Sequence, residues 1–172
     1  TWFQVLYDAQ ALYIAVRCED GQAADIAART TTRDSFAIFS DDAISVKLDA
    51  EHDHRTTSGF AMNAAGARMD YRGVNEKQMR REFDAIWSGV VQRDSAGWTA
   101  EFRIPWATLA IDPNEPPESI GLNFSRDHPR RNATYDWSVM PPPFTPLAAS
   151  LYGHLVGFSG LPKLARAAAN KS

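Results

Sequence analysis

The chain has 172 residues, 44% hydrophobic and 23% charged, with a formal net charge of −3 and a pI near 5.8. That length fits one domain with a sizeable core. Mild acidity argues against a nucleic-acid partner, which needs a basic face to neutralise phosphates. No apolar run approaches the ~20 residues of a membrane-spanning helix, so membrane insertion by this domain is not expected. Cys18 is the sole cysteine, which excludes an intrachain disulfide and a cysteine-built zinc site.

A two-residue rhythm runs through the chain. It opens in a strand-like run from Trp2 to Leu6, with no signal peptide in view, and the expectation is that residues lie upstream. Leu12, Ile14, Val16 and Cys18 then alternate with Tyr13, Ala15, Arg17 and Glu19, which makes Cys18 a small buried hydrophobe. Ile44, Val46 and Leu48 form the next apolar face, followed by Phe60 and Met62. Weaker alternation covers 67–71 and 86–91. Trp98, Ala100, Phe102 and Ile104 give a clear face, as do Ile120, Leu122 and Phe124, and a last weak run covers 151–158. Turn signals at Ala64-Ala65-Gly66 and Asp94-Ser95-Ala96-Gly97 predict hairpins. About nine such strands predict an all-β antiparallel sandwich. Two places depart from the rhythm. Asn75–Phe83 is charged and Gly-free, which predicts a loop with a short helix, and Pro105–Leu109 predicts one helical turn. The Pro-rich stretch from Asp127 to Ala149 predicts a long irregular segment of functional use. The division expected is a domain over 1–160 and a tail over 161–172.

Several pieces fall in a recognisable order. They are Val5-Leu6-Tyr7-Asp8, Ala11-Leu12-Tyr13-Ile14-Ala15-Val16, Thr32-Arg33-Asp34, and Asp41-Asp42 ahead of Lys47-Leu48-Asp49. Phe60-Ala61-Met62-Asn63-Ala64-Ala65-Gly66 and Trp87 follow. Gly97 to Pro105 and Ile120 to Arg126 complete the set. Together they resemble the family 9 carbohydrate-binding module, in the version found ahead of an outer-membrane barrel in some bacterial proteins. The resemblance spans most of residues 3 to 158. It implies a jelly-roll-like sandwich, bound calcium, sugar held between aromatic rings and no catalytic role. It also implies a secreted, periplasmic or cell-surface location, with tethering to a larger secreted or outer-membrane protein. The family's usual first strand and any following barrel are absent from the 172 residues, so an excised module or a short free-standing protein is expected.

Sugars present flat C–H faces that aromatic rings bury well. Trp98 and Trp106 read as core, and Trp87 fits either role. Trp137, beside Tyr135 and Asp136 in the irregular segment, is the best platform candidate, or else plugs the end of the sandwich. Phe36 and Phe39 are candidates for the opposite wall, or simply pack their loop onto the sheet edge. Arg33, Arg126 and Asn123 could bind hydroxyls, although an arginine–carboxylate pair with Asp34 or Asp41 is an equally simple role. Asp20, Asp41, Asp42 and Asp49, with Asp53, stand at strand ends and could supply calcium with oxygens from separate loops, or simply cap turns. His52 and His54 lie two apart and with Asp53 could hold zinc or copper, or decorate an exposed loop. No serine elbow, phosphate loop or His-Glu-x-x-His occurs. Two other readings stay open. A haem-binding electron-transfer domain of the same architecture would draw axial ligands from Met62, Met69, Met140, His154 and Lys47. A structural docking domain would hold no small ligand.

Overall fold

The computed structural model describes residues 1–158. The expected tail, 161–172, and the end of the expected domain lie outside the described residues. Eleven strands form two sheets: β1 (Trp2–Tyr7), β2 (Ala11–Glu19), β3 (Ala43–Asp49), β4 (Thr56–Asn63), β5 (Arg68–Val74), β6 (Gln78–Arg80), β7 (Ser88–Asp94), β8 (Gly97–Pro105), β9 (Ser119–His128), β10 (Ala133–Asp136) and β11 (Gly153–Val156). One sheet has the order β1-β2-β8-β7, the other β10-β9-β3-β4-β5-β6. β11 lies beside the first half of β9, and β10 beside the second half. Every pairing is antiparallel.

The alternation explains the packing. Leu12, Ile14, Val16 and Cys18 of β2 and Trp98, Ala100, Phe102 and Ile104 of β8 face one way. They meet Ile44, Val46 and Leu48 of β3, Phe60 and Met62 of β4, and Ile120, Leu122 and Phe124 of β9. Their opposite neighbours face outward. Cys18 is fully buried, and burial pushes its thiol up to about 12. Both predicted hairpins form, with Gly66 at φ 84° and Gly97 at φ 138°. A Cβ at Gly97 would strike the carbonyl of Cys18, so this turn requires glycine.

Two expectations need correction. Residues 75–83 hold no helix. Asn75 and Glu76 take left-handed backbone angles, φ 51° and 60°, and Gln78–Arg80 returns as the short edge strand β6. The Pro-rich segment is also less irregular than expected, since Ala133–Asp136 pairs with β9 as β10. The single turn after Pro105 does form, over Trp106–Leu109, with Pro105 as its cap.

The outer faces of the two sheets differ. That of the larger sheet is covered by residues 136–152. Asn123 accepts the Ser138 N–H at 2.8 Å and donates to the Ser138 carbonyl at 3.1 Å. Tyr152 meets Thr57 at 3.1 Å. Lys47, buried there, is held by Ser125 and Asp136, and burial pulls its ammonium below the usual range. Among the described residues, no segment covers the outer face of β1-β2-β8-β7.

One buried ion pair joins both sheets. Arg126 of β9 donates to both oxygens of Asp42, at 3.1 and 2.9 Å, and Trp98 of β8 donates its indole N–H to the same carboxylate at 3.0 Å. Arg126 also donates to the Glu19 carbonyl and Thr1. Removing one member strands the other charge out of water. Asp42→Ala is therefore expected to lower unfolding free energy by about 3–5 kcal/mol, read by urea denaturation. A loss under 1 kcal/mol would show that water reaches Arg126.

Candidate functional site

Of the side chains predicted to bind sugar, two come together. Trp137 and Arg126 line a notch in the open seam between edge strands β1 and β10, with Thr1, Phe3, Phe124, Tyr135 and Asp136. The notch encloses about 180 Å³. β10 continues its period of two into Trp137, so Tyr135 and Trp137 share a side while Asp136 turns to the outer face and Lys47. The Trp137 backbone N–H donates to the Phe124 carbonyl at 2.9 Å, which fixes the platform to β9. Its ring meets Phe3 edge-on at 5.6 Å and Phe124 at 6.4 Å, and rests on Gly153, where a Cβ would collide with it. Trp137 nevertheless remains 51% exposed and Tyr135 49%. The Trp137 ring is thus held in place with part of it left to solvent, beside a half-exposed Tyr135. Tyr135 and Phe3 add to the predicted set, and the Tyr-Asp-Trp alternation was the signal for the first.

The other predicted partners stand apart and are already engaged. Arg126 is 6% exposed and saturated by Asp42, Glu19 and Thr1, so it walls the notch without offering free donors. Arg33 bridges Asp34, Asp70 and Asp84 at 3.0, 3.1 and 2.8 Å. Asp70 also accepts from the Trp87 indole and the Ala85 N–H, so Arg33 clamps residues 84–87 to β5. Trp87 is core, stacked on Phe102 at 5.8 Å. Asn123 is buried beneath residue 138. Phe36 is exposed but pairs with Phe39 at 5.1 Å and carries Arg81 over its ring, on the turn Phe36–Ser40 packed against β3, β4 and β5. It shares no lining with Trp137. The proposed haem ligands also diverge: Met62 lies under Gly89, Met69 in the cluster with Tyr71, Lys47 beside Asp136, and His154 beside His52.

Among the described residues, two carboxylates and a histidine come within one ion's reach at one place, Asp20–Asp42–His128. Asp41 and Asp49 are elsewhere. Asp41 caps a loop by accepting the N–H groups of Arg29 and Thr30 and the Asn63 amide. Burial works against its charge, but these bonds hold it below the usual carboxylate range. Asp49 accepts the N–H groups of Asp53 and His54, yet burial raises it. At the cluster itself Arg126 occupies Asp42, and Arg130 holds both oxygens of Asp20, one at 2.6 Å. Calcium needs six to eight free oxygens. Two carboxylates already matched by two guanidiniums do not fit it. Adding millimolar calcium to metal-free protein is accordingly expected to move the melting temperature by less than about 1 °C, since an ion stabilises only where it binds the native state. A calcium-dependent rise of several degrees would restore the ion.

An open concavity of about 420 Å³ lies on the outer face of β1-β2-β8-β7. Pairing aligns Gln4, Ala15, Glu101 and Val90 in one row across the strands and Leu6, Tyr13, Arg103 and Ser88 in the next. Tyr13 carries Arg103 over its ring at 6.0 Å, while among the described residues the Gln4 and Glu101 side chains hydrogen-bond to nothing.

Comparison with known proteins agrees with this architecture. Residues 1–141 match the model of the family described as carbohydrate family 9 binding domain-like. A family 9 carbohydrate-binding module from Caldicellulosiruptor kristjanssonii, solved with cellotriose, superposes with a TM-score of 0.62 at 13% identity, over 95% of this chain and 75% of that one. The same organism's module with glucose gives 0.57 at 14% identity, over 96% and 78%. A Bacteroides uniformis protein gives 0.67 at 12% identity, over 90% and 76%. No curated protein matches in sequence.

Proposed function

Because the chain belongs to the carbohydrate family 9 binding domain-like family, which is non-catalytic, we propose that it holds a sugar at the sandwich rim with Trp137 as platform. The observation that carries this is the wedged, half-exposed Trp137–Tyr135 pair. A ring already fixed by Phe3, Phe124 and Gly153 loses little freedom when it stacks on a sugar's C–H face. The notch is small beside an ordinary ligand pocket, so it suits one terminal ring with the rest of a chain in solvent. Related modules were solved with cellotriose and with glucose, which makes β-linked glucose oligomers the first ligands to try. A secreted or cell-surface setting, within a larger protein, suits such a role.

The open trough favours a second reading. Its volume falls in the range of small-ligand sites, and the Tyr13 ring lies beside unengaged Gln4 and Glu101. A chain lying across the strands would use it rather than the notch.

Calorimetry with cellotriose separates the two. Trp137→Ala is expected to weaken binding at least tenfold, while Tyr13→Ala leaves it within about twofold. Losing the buried half of the indole also costs about 1–2 kcal/mol of stability, so Trp137→Phe, which keeps a ring, should recover much of both. Loss of binding in Tyr13→Ala alone would move the sugar to the trough.

A further inference from the structure

Three histidines, two of them in one turn and the third 102 positions on from His52, meet beside β11 on the side away from Trp137. His52 and His54 belong to the turn between β3 and β4, and His154 to β11. His52 Nε2 lies 3.0 Å from His154 Nδ1. The His52 ring centroid is 4.5 Å from that of His54 and 5.0 Å from that of His154, and His54 and His154 are 6.2 Å apart. Sheet register builds the cluster. Asp49, Gly121 and His154 stand opposite one another across β3, β9 and β11. Gly121 leaves the middle of that row empty, and a Cβ there would come within 2.8 Å of the Asp49 Cβ. The turn is strained at the two histidines themselves, with φ 50° at His52 and 58° at His54. Left-handed angles at non-glycine residues persist where surroundings impose them and concentrate at functional sites.

From this geometry we propose that His52, His54 and His154 bind a late first-row divalent metal ion, zinc or copper, a site separate from the sugar notch. Imidazole nitrogens suit such ions. A tetrahedral centre with Zn–N bonds near 2.0–2.1 Å places neighbouring nitrogens about 3.3 Å apart. The His52–His154 pair is within a few tenths of an ångström of that spacing. The remaining nitrogens of the turn histidines face oxygen atoms that can accept from them. Ser119 Oγ lies 3.4 Å from His52 Nδ1, and the buried Asp49 carboxylate lies 3.9 Å from His54 Nδ1. A proton held on each Nδ1 leaves each Nε2 lone pair for the metal, the arrangement that orients histidine ligands generally. As the side chains stand, the nitrogens of the three histidines are not all within ligating reach of one another, so the exposed His54 side chain must rotate toward the shared point. Asp53, the nearby carboxylate, is committed to Arg55, Thr56 and the turn. Water completes the coordination, in an open position facing solvent.

The test uses untagged protein, stripped with EDTA and desalted, titrated with zinc sulfate by calorimetry and followed by thermal melting. Wild type is expected to bind one zinc ion per chain and to melt higher with zinc. His154→Gln and His52→Gln are each expected to bind at least tenfold more weakly, with melting in the absence of metal close to wild type. Should either variant unfold, histidine nitrogen NMR of wild type replaces it: zinc must shift the rings of His52, His54 and His154 and leave His128 in place. No binding by wild type overturns the proposal. So does zinc binding that both substitutions leave intact, or a shift confined to His128, since the ion would then sit at the Asp20–Asp42 cluster.

Discussion

Asp42 and Arg126 set the terms for the rest of the sandwich. Both are buried, and a buried charge costs several kcal/mol unless its partner is in place. Asp42 immediately precedes β3 and Arg126 lies in the adjacent β9, so the pair fixes where that sheet's register begins. Trp98, from the facing sheet, donates to the same carboxylate. A sheet slipped by one residue would turn Trp98 outward and leave the pair unsatisfied. The hydrophobic core makes the two layers adhere, and this constellation decides how they are aligned. It also removes the need for a cation at that end, because Arg126 and Arg130 already neutralise Asp42 and Asp20.

Alignment in turn decides which surfaces remain for ligands. The outer face of the larger sheet carries Ser45, Lys47, Thr57, Asn123 and Ser125, all polar and all buried. Such groups are costly unless bonded, and residues 136–152 supply the bonds through Asp136, Ser138 and Tyr152. That covering segment then emerges at the seam with Tyr135 and Trp137 on its leading edge. The aromatic notch is therefore a by-product of closing the sheet, and its rigidity comes from the same hydrogen bonds. The smaller sheet has no equivalent cover within the described residues, and its outer side chains line the open trough instead.

Most of this was legible in the sequence. The strands with one apolar face, such as Leu12–Cys18 and Trp98–Ile104, were readable because the core imposes a period of two. The edge strand β6 was hidden because Gln78–Arg80 packs little and is drawn from good helix formers; pairing with β5, a tertiary effect, decided it. β10 was hidden for a similar reason, being short and mostly exposed. Site residues were harder. Trp137 stood out as an aromatic in a loop, but Arg33, Arg126 and Asn123 could be told from sugar ligands only by finding their structural partners. The expected Arg33–Asp34 pair is local, but the other partners are remote: Asp42 is 84 positions from Arg126 and Asp84 is 51 from Arg33. No local spacing rule reports such distances. His52 and His54 were visible as a pair, whereas His154, 102 positions away, was brought to them by strand pairing alone.

β11 links the two rims. Gly153 lies beneath the Trp137 ring, and the next residue, His154, joins the histidine cluster on the other face. Successive residues of a strand point to opposite sides, so four residues present one surface to the seam and one to the turn after β3. Among the described residues β11 pairs only with β9. A strand that short, held on one side, depends on its side chains for its position more than a central strand does. Stacking on Gly153 and the contact between His154 and His52 are therefore part of what seats it. A ligand acting at either rim acts on the same four residues.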